Sequence, residues 1–384
     1  MHVKKISTSQ LKYALNLADL TNVADGQHAM QLVVSDIIAS LRSAWRCEVV
    51  VNRESPIVSI AENYDYLNYP QDGAARDARY TRYVCDTALL RTQTTSMVPR
   101  VLRTIANKLP DDLLIALPGL TYRRDCVDRI HCAEPHHMDL WRIKKNSALD
   151  DDDLLNMVET WMQAILPDVQ WRVTESLHPY THNGVQIDAL WRDQWLEVGE
   201  CGIAHRDVIK ANLSDSQNIS GLAMGLGLDR ILMIRKNIPD IRLLRSKDSR
   251  VVAQMSDLKP YQSVSSMPAV TRDLSIVLDN EVDNENLGDM VREALGDDSN
   301  VVEVIEIVSE TTYDELSGTV RARLGINPGQ KNVLVRVVLR SLDRTLSHEE
   351  CNQYRDEIYQ AIHHGTEWHW ATKEPNKNNV VKRG

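Results

Sequence analysis

The sequence contains no phenylalanine in 384 residues. A globular chain of this length and ordinary composition would carry on the order of a dozen or more. Aromatic side chains as a class are not excluded, since 8 Trp and 12 Tyr are present. Chance is a poor explanation, so the absence points to a constraint on this one amino acid.

Long apolar runs are missing as well. No stretch approaches the run of about 18 apolar residues that a membrane-spanning helix needs. The first residues, Met1 to Ser9, carry no apolar segment of the signal-peptide type. We therefore predict a cytoplasmic protein that does not associate with membranes, and the length favours two domains.

Closely paired cysteines are also absent. The six cysteines form no CxxC pair, which indicates reduced thiols and not a disulfide framework. One cluster does combine cysteine and histidine: Cys126, His131, Cys132, His136 and His137. Its spacing fits no common structural zinc pattern, so we predict no metal site.

Positive charge is in short supply. The net charge of −10 argues against nonspecific nucleic-acid binding, although a local basic surface would suffice for one specific RNA. Residues 260–384 contain 13 Lys or Arg against 21 Asp or Glu. The arginines that could form a basic face there are Arg321, Arg323, Arg336, Arg340 and Arg344. Alternating positions on a strand can equally be a solvated sheet face.

The hydrophobic pattern changes near residues 257–265. Before that point, helical spacing and strand-like runs predict elements in this order: a helix over 28–45, a helix over 97–109, strands over 113–116 and 120–124 around a Pro118-Gly119 turn, a helix capped by the carboxylates Asp150 to Asp153, a strand over 195–198 and a helix over 224–236. After it, the order is β-α-β-β-α, with a Ser347/Glu350 capping box opening the last helix. This second order predicts a ferredoxin-like module.

Two arginines stand at places suited to phosphate chemistry. Arg123 follows the Pro118-Gly119 pair, and Arg230 follows the glycine-rich run from Gly225. Charge that develops at an attacked phosphate needs fixed positive side chains nearby. Neither arginine is specific alone, because exposed arginines are usually solvated and glycine-rich turns are common.

Taken together and in order, these sites resemble motifs of the class II aminoacyl-tRNA synthetases of the phenylalanyl type. Arg123 corresponds to motif 2 (Phe-Arg-x-Glu) and Arg230 to motif 3 (Gly-x-Gly-x-Glu-Arg). The other matching segments are LLRTQTTS (89–96), YRRDCVDRIH (122–131), WLEVGECGIAH (195–205), GLAMGLGLDR (221–230), IPDIRLLRSKDSR (238–250), MPAVTRDLSIVL (267–278) and LDRTLSHEE (342–350). The resemblance covers about residues 28–372.

The resemblance implies an α+β protein. Residues 26–257 would form a class II core, an antiparallel β-sheet flanked by helices, and residues 258–372 a ferredoxin-fold anticodon-binding domain. Residues 1–25 would be an N-terminal extension and residues 373–384 a basic flexible tail. The implied activity is a ligase that uses ATP and Mg²⁺ to activate phenylalanine, or a closely related aromatic amino acid, and transfers it to tRNA. Such a chain would act as a monomer or a homodimer.

The resemblance also implies roles at the nucleotide. Arg123 would hold the α-phosphate, His131 would reach the phosphates, and Arg230 would lie over the adenine ring. These three are the implied catalytic residues. The implied ATP contacts are Arg123, Asp125, Pro135, Asp229 and Arg230. Asp125 would face the adenine edge, and Pro135 replaces the family's adenine-stacking aromatic residue.

A second set is implied at the amino acid. Thr95, His137 and Asp139 fall where the family binds the substrate ammonium and carboxylate. A buried carboxylate at Asp139 can pair with that ammonium. The residues implied around the substrate ring are His178, Tyr180, Thr181, Glu200, Leu222 and Ala223.

Several of these positions depart from the family. Tyr180 and Leu222 replace phenylalanines with side chains of comparable volume, which is compensation in packing. His178, His137 and Glu200 instead add polar groups near the inferred pocket. A buried polar group without a partner costs about 1–3 kcal/mol, so a hydroxyl or amine on the substrate could be that partner.

Three functions stay open. The first is the tRNA ligase. The second is an adenylate-forming paralogue that charges a modified aromatic amino acid or a non-tRNA acceptor, and an anticodon-type domain speaks against such an acceptor. The third is a non-catalytic paralogue that binds tRNA or amino acid. The retained Arg123, Asp125, Asp229 and Arg230 speak against the third, whereas Gln93 in place of the usual histidine favours it.

The absence of phenylalanine predicts a link to phenylalanine supply. An enzyme that charges this tRNA, and has no such codon itself, can be made when the charged tRNA is scarce, poisoned or mischarged. A backup enzyme, a resistance copy and a mischarging agent all fit. We expect its level, measured by quantitative mass spectrometry in the source organism, to rise under phenylalanine starvation or synthetase inhibition. An unchanged level relative to housekeeping proteins would count heavily against the hypothesis.

Overall fold

A computed structural model describes residues 4–78, 80–123, 128–213, 218–264 and 267–368. It divides into two units. The first comprises residues 1–124 and 133–262, and the second comprises residues 125–132 and 263–384. Each unit combines helices with an antiparallel-dominated sheet, which confirms the predicted α+β class. Across the described ranges, no helix has the length and apolar content needed to cross a bilayer.

The first unit is built on a seven-stranded sheet. The strands of this sheet are β1 (Glu48–Val51), β4 (Asp112–Leu120), β5 (His136–Lys145), β6 (Trp171–Glu175), β7 (Thr181–Trp191), β8 (Gln194–Ala204) and β9 (Ile219–Gly227). Two further strands, β2 (Ile57–Ser59) and β3 (Ala88–Leu90), pair with each other in a separate ribbon. The sheet order is β1-β4-β5-β9-β8-β7-β6. β1 and β4 pair in parallel, and all other pairs in this sheet are antiparallel.

Helices accompany this sheet. They are α1 (Thr8–Leu15), α2 (Ala29–Trp45), α3 (Ile60–Asn63), α4 (Val98–Ile105), α5 (Asp151–Ile165), α6 (Arg206–Asn212), α7 (Leu228–Arg235) and α8 (Ser249–Gln254). The carboxylate run does cap α5: the Asp150 side chain accepts from the backbone N–H of Asp153, which returns the bond. The residue after α2, Arg46, caps the helix in the left-handed conformation, with a φ of 52°.

Two local predictions were wrong. Pro118 and Gly119 do not form a turn but continue β4 to Leu120. Pairing of β4 with β1 ends at Ala116, so Pro118 lies where a missing N–H costs no ladder hydrogen bond. The glycine-rich run before Arg230 is likewise strand β9, and α7 begins only at Leu228. Pairing with β5 and β8 on both sides overrides the helical spacing that was expected from residue 224.

The second unit has the predicted ferredoxin-like order with one addition. Its elements are β10 (Val270–Asp279), α9 (Asn284–Leu295), β11 (Val302–Thr312), α10 (Gly318–Leu324), β12 (Gln330–Leu339) and α11 (His348–Ile362). The short α10 is the addition. The strands form an antiparallel sheet in the order β10-β12-β11. Burial alternates residue by residue along β12, so one face packs on α9 and α11. The Ser347/Glu350 capping box is confirmed at the start of α11.

Neighbouring leucines in α5 offer a matched test of the core of the first unit. Leu154 is 3% exposed and Leu155 is 39% exposed. We expect Leu154→Ala to lower the free energy of unfolding by about 2–5 kcal/mol, because it leaves a cavity in a packed core. Leu155→Ala should change it by less than about 0.5 kcal/mol. Urea unfolding of the full chain, followed by circular dichroism, measures both, and equal losses would contradict this account of α5.

Candidate active site

One face of the large sheet carries the predicted amino-acid site. Asp139 and Trp141 lie on β5 opposite Gly225 and Ala223 on β9. Strand β8 continues the row, because Glu200 pairs with Gly225. Directly paired residues point to the same side of a sheet, so these side chains share one surface. We call it the Asp139 face.

Asp139 is a buried carboxylate held by neutral donors. It is 2% exposed. The Thr94 hydroxyl donates to its Oδ2 at 2.8 Å, the Trp141 Nε1–H lies 3.4 Å from its Oδ1, and Thr95 also hydrogen-bonds to it. Burial raises its pKa from 3.8 to about 6, against these hydrogen bonds. A buried carboxylate with no cation beside it among the described residues suits an ammonium ligand.

Aromatic rings stand beside this carboxylate. Tyr180 is buried, and its ring centroid lies 6.4 Å from that of Trp141 and 6.3 Å from that of Tyr69. The Tyr69 hydroxyl donates to Gln93 Oε1 at 3.0 Å, and burial raises the pKa of Tyr69 to about 12. Ala223 belongs to the same buried cluster as Trp141 and Tyr180. These rings form an apolar surface beside the carboxylate.

His178 and Glu200 contact each other at the edge of the rings. Nε2 of His178 lies 2.8 Å from Glu200 Oε2, and the His178 ring is 5.8 Å from that of Tyr180. Burial acts to raise the pKa of Glu200, but the hydrogen bond and charge of His178, helped by Arg123, lower it. Of the three polar replacements named from the sequence, His178 and Glu200 are therefore partners of each other.

The two arginines act on the same groups. Arg123 is exposed and its Nε donates to the Thr92 carbonyl at 2.8 Å, while Arg230 Nη1 donates to the Glu197 carbonyl at 3.0 Å. Burial, with the positive charges of both arginines contributing, lowers the pKa of His137 to about 3. Burial and Glu200 raise the pKa of Glu197, and both arginines oppose this rise. Both arginines therefore influence the ionisation of His137 and Glu197.

Asp229 has an anchoring position. Its Oδ2 accepts from the backbone N–H of His136 at 2.5 Å, and its Oδ1 lies 3.0 Å from His136 Nδ1. The other ring nitrogen of His136 contacts the Leu20 N–H and Arg245 Nη2, both at 3.1 Å. Burial acts to raise the pKa of Asp229, but the charge and hydrogen bonds of His136 lower it. The pair fixes the start of α7 against β5, and the ATP contact expected of Asp229 stays a prediction.

One implied site residue faces away from this site. Leu222 precedes Ala223 in β9 and pairs with Arg142, so it points to the opposite face of the sheet. Leu222 and Ala223 therefore cannot both contact one substrate, and the expectation for Leu222 was wrong. Resemblance to the family motif locates Leu222 in the sequence, but it does not show which face of the sheet its side chain is on.

Three other implied residues are placed as follows. Asp125 lies outside the described residues. His131 belongs to the second unit, where its Nδ1 is 2.9 Å from Asp128, and its role at the phosphates stays a prediction. The Pro135 carbonyl accepts from the Thr121 N–H at 2.9 Å.

Three residues beside Asp139 were not predicted from the sequence: Thr94, Trp141 and Tyr69. The one available signal was that Thr94 neighbours the implied Thr95. Within the ranges that the structure describes, no group of three His, Cys, Asp or Glu is placed to hold a metal ion.

Most arginines proposed for a basic face in the second unit are already engaged. Their contacts are Arg336 to Asp273 at 2.9 Å, Arg340 to Glu303 at 2.7 Å, Arg344 to Glu350 at 2.7 Å, and Arg321 over the Tyr313 ring at 4.1 Å. Such pairs neutralise charge locally, so this unit does not present them as a free cationic surface.

Comparison with known proteins identifies both units. The model of the class II core domain of tRNA synthetases, type F, matches residues 16–255, and that of the ferredoxin-fold anticodon binding domain matches residues 265–369. The chain is 35% identical over 192 residues to the phenylalanine–tRNA ligase alpha subunit of Prochlorococcus marinus (strain MIT 9313), which is 50% of this chain and 56% of that protein. It therefore spans little more than half of that relative.

Relatives from eukaryotes cover more of the chain at lower identity. The chloroplastic/mitochondrial phenylalanine–tRNA ligase of Arabidopsis thaliana is 26% identical over 328 residues, 80% of this chain and 70% of that protein. The probable mitochondrial phenylalanine–tRNA ligase of Drosophila melanogaster is 25% identical over 398 residues, 87% and 83% respectively.

The raised pKa of Asp139 predicts a pH dependence of stability. Between about pH 4 and pH 6, the folded protein holds a proton that the unfolded chain has released, so the free energy of unfolding falls as pH rises. The shift from 3.8 to about 6 corresponds to roughly 3 kcal/mol. We expect Asp139→Asn to remove this component.

Urea unfolding of the wild type and Asp139→Asn at pH 4, 5, 6 and 7 measures it as the difference between the two proteins. The exposed Asp168→Asn is the control and should follow the wild type at every pH. A wild-type minus Asp139→Asn difference that is constant across the four pH values would show that Asp139 has an ordinary pKa.

Proposed function

The chain belongs to the phenylalanyl type of class II tRNA synthetases, and we propose that it activates an aromatic amino acid with ATP and transfers it to tRNA. The observation that carries the proposal is the buried carboxylate of Asp139 on the same sheet face as Trp141, with the rings of Tyr180 and Tyr69 beside it. Arg123 and Arg230 are the proposed phosphate-binding groups. A carboxylate, a set of rings and two guanidinium groups match the ammonium, the side chain and the phosphates of the reactants. Phenylalanine, or a close aromatic relative, is the proposed amino acid.

Asp139 would bind the amino acid through its ammonium group. The cation would offset the cost of burying the carboxylate, while Thr94, Thr95 and Trp141 keep the carboxylate in place. The substrate ring would then lie against Tyr180, next to the small side chain of Ala223. These contacts would orient the substrate carboxylate toward the arginines.

Gly225 and Gly227 of β9 present backbone where the nucleotide would lie. A side-chain carbon added at Gly225 would sit 3.8 Å from Asp139 Oδ2, and one at Gly227 would sit 3.8 Å from the Val198 carbonyl, both ordinary contact distances. These two glycines lie between Asp139 and the start of α7, which carries Arg230. The residues present therefore fit an adenylate, and Mg²⁺ bound to the phosphates would add positive charge to that of the arginines.

The chemistry has two displacements. A substrate carboxylate oxygen attacks the α-phosphorus of ATP, a P–O bond forms, and pyrophosphate leaves. A hydroxyl of the tRNA terminal ribose then attacks the activated carbonyl, and AMP leaves with the electron pair of the broken C–O bond. Arg123 and Arg230 would stabilise the negative charge that grows on the phosphates in the first step.

Residues 258–372 would recognise the tRNA, and residues 26–257 would perform the chemistry. The ion pairs of the second unit favour one competing function, transfer to a non-tRNA acceptor, because they leave fewer arginines for RNA. A cytoplasmic location and a monomeric or homodimeric state complete the proposal. Cell fractionation and sedimentation analysis test these two points.

Amino-acid-dependent ATP–pyrophosphate exchange by the full chain tests the first step. We expect Arg123→Ala and Arg230→Ala each to lower kcat/KM by about 100-fold or more, because each removes a charge that opposes the one growing in the transition state. Arg206→Ala, which changes an exposed arginine on α6, is the control and should leave exchange intact. Full exchange by both site variants would refute the assigned roles.

Charging of phenylalanine-type tRNA with radiolabelled amino acid tests the second step. Exchange without charging would favour a non-tRNA acceptor. Folded protein that gives no exchange with any aromatic amino acid would refute the ligase proposal.

A further inference from the structure

Two buried polar atoms on the Asp139 face have no hydrogen-bond partner among the residues that the structure describes. They are Nδ1 of His178 and Oγ1 of Thr181. The His178 side chain is 9% exposed, and Thr181 is 7% exposed. Native proteins satisfy nearly all such atoms, so each calls for a partner supplied from outside the chain.

Both atoms lie beside Gly184. A side-chain carbon built on Gly184 would lie 3.0 Å from His178 Nδ1 and 3.3 Å from Thr181 Oγ1, and it would clash with the Ser176 carbonyl, so these two atoms are near each other and the backbone of Ser176 borders them on one side. Thr181 also lies over Gly202, which pairs with Ala223 in the neighbouring strand. The two atoms therefore lie beside the rings of Tyr180 and Trp141 and near Ala223.

The contact with Glu200 limits what the histidine presents. Nε2 of His178 lies 2.8 Å from Glu200 Oε2, and a carboxylate accepts a hydrogen bond but cannot donate one. A neutral imidazole in this contact carries its proton on Nε2 and presents a lone pair at Nδ1, whereas a protonated imidazole presents an N–H at Nδ1. The Thr181 hydroxyl can donate or accept. A single ligand hydroxyl would satisfy both atoms in either state, by donating to one and accepting from the other, whereas an unsubstituted phenyl ring would satisfy neither.

We propose that this pocket is built for an aromatic amino acid whose ring carries a hydroxyl group, recognised by His178 and Thr181 with Glu200 as the positioning residue. This inference rests on the proposed function and narrows its substrate. Substrates with a meta or a para hydroxyl distinguish the two geometries by which the ring could present that group.

The composition supports the same substrate class independently. Such an enzyme, acting on a phenylalanine-type tRNA, would insert a hydroxylated residue at phenylalanine codons. A chain with no phenylalanine is unaffected by this substitution in its own sequence. The absence of phenylalanine and the two unpaired polar atoms of His178 and Thr181 are thus both explained by a hydroxylated aromatic substrate.

Pyrophosphate exchange by the full chain with L-phenylalanine, L-meta-tyrosine, L-tyrosine and L-3-fluorophenylalanine is the test. We expect kcat/KM for one of the two hydroxylated substrates to exceed that for phenylalanine by at least about tenfold, because binding phenylalanine leaves two buried polar atoms unpaired. 3-Fluorophenylalanine should behave like phenylalanine, since fluorine adds bulk without a proton to donate.

His178→Phe and the nearly isosteric Thr181→Val should each reduce this preference by about tenfold or more. His182→Phe is the matched control: it makes the same change on the exposed neighbouring residue of β7, and it should keep the wild-type preference. Thermal unfolding confirms that each variant is folded.

Efficient exchange with phenylalanine, at or above the rate for both hydroxylated substrates, would overturn this inference and leave the ligase proposal standing. A wild-type preference that survives both His178→Phe and Thr181→Val would also overturn it. Folded wild-type protein without exchange on any of the four substrates would overturn the ligase proposal itself.

Discussion

The structure of the site depends on one buried carboxylate. Asp139 sits on a central strand, β5, with paired strands on both sides, and its neighbours supply hydrogen bonds but no positive charge among the described residues. Burial makes its charged form costly until a cation arrives. The free protein therefore carries an unfavourable group that an α-ammonium ligand would stabilise. Hydrogen bonds from Thr94 and Trp141 keep that carboxylate in place.

A second buried pair anchors α7 to β5. His136 and Asp229 join the first residue of β5 to the first turn of α7, and Arg245 and the backbone of Leu20 satisfy the remaining ring nitrogen. Every polar atom of this pair has a partner, so the network restrains geometry without requiring a ligand. Arg230, the next residue after Asp229, takes its position from this anchor. His178 Nδ1 and Thr181 Oγ1 differ from this pair, because neither has a hydrogen-bond partner among the described residues.

The second unit raises a different physical question. Its fold matches a domain that binds anticodons, yet three of its arginines are paired with carboxylates of the same unit. Exposed pairs of this kind are worth little and exchange readily, so a polyanion can compete for the arginines. Binding by such competition would be strongly dependent on salt concentration. A net acidic domain can therefore contact RNA without presenting a permanently basic face.

The sequence by itself determined the α+β class, the ferredoxin-like order of the second unit and the helix caps at Asp150 and Ser347, because these follow from local periodicity, capping chemistry and ordered motifs. Tertiary structure alone decided which side of β9 carries the site, that the glycine run is a strand, and that His178 and Glu200 are partners. Side-chain facing depends on the register between strands that are distant in sequence. Likewise, whether a buried polar atom has a partner depends on residues from several strands, and no local pattern records it.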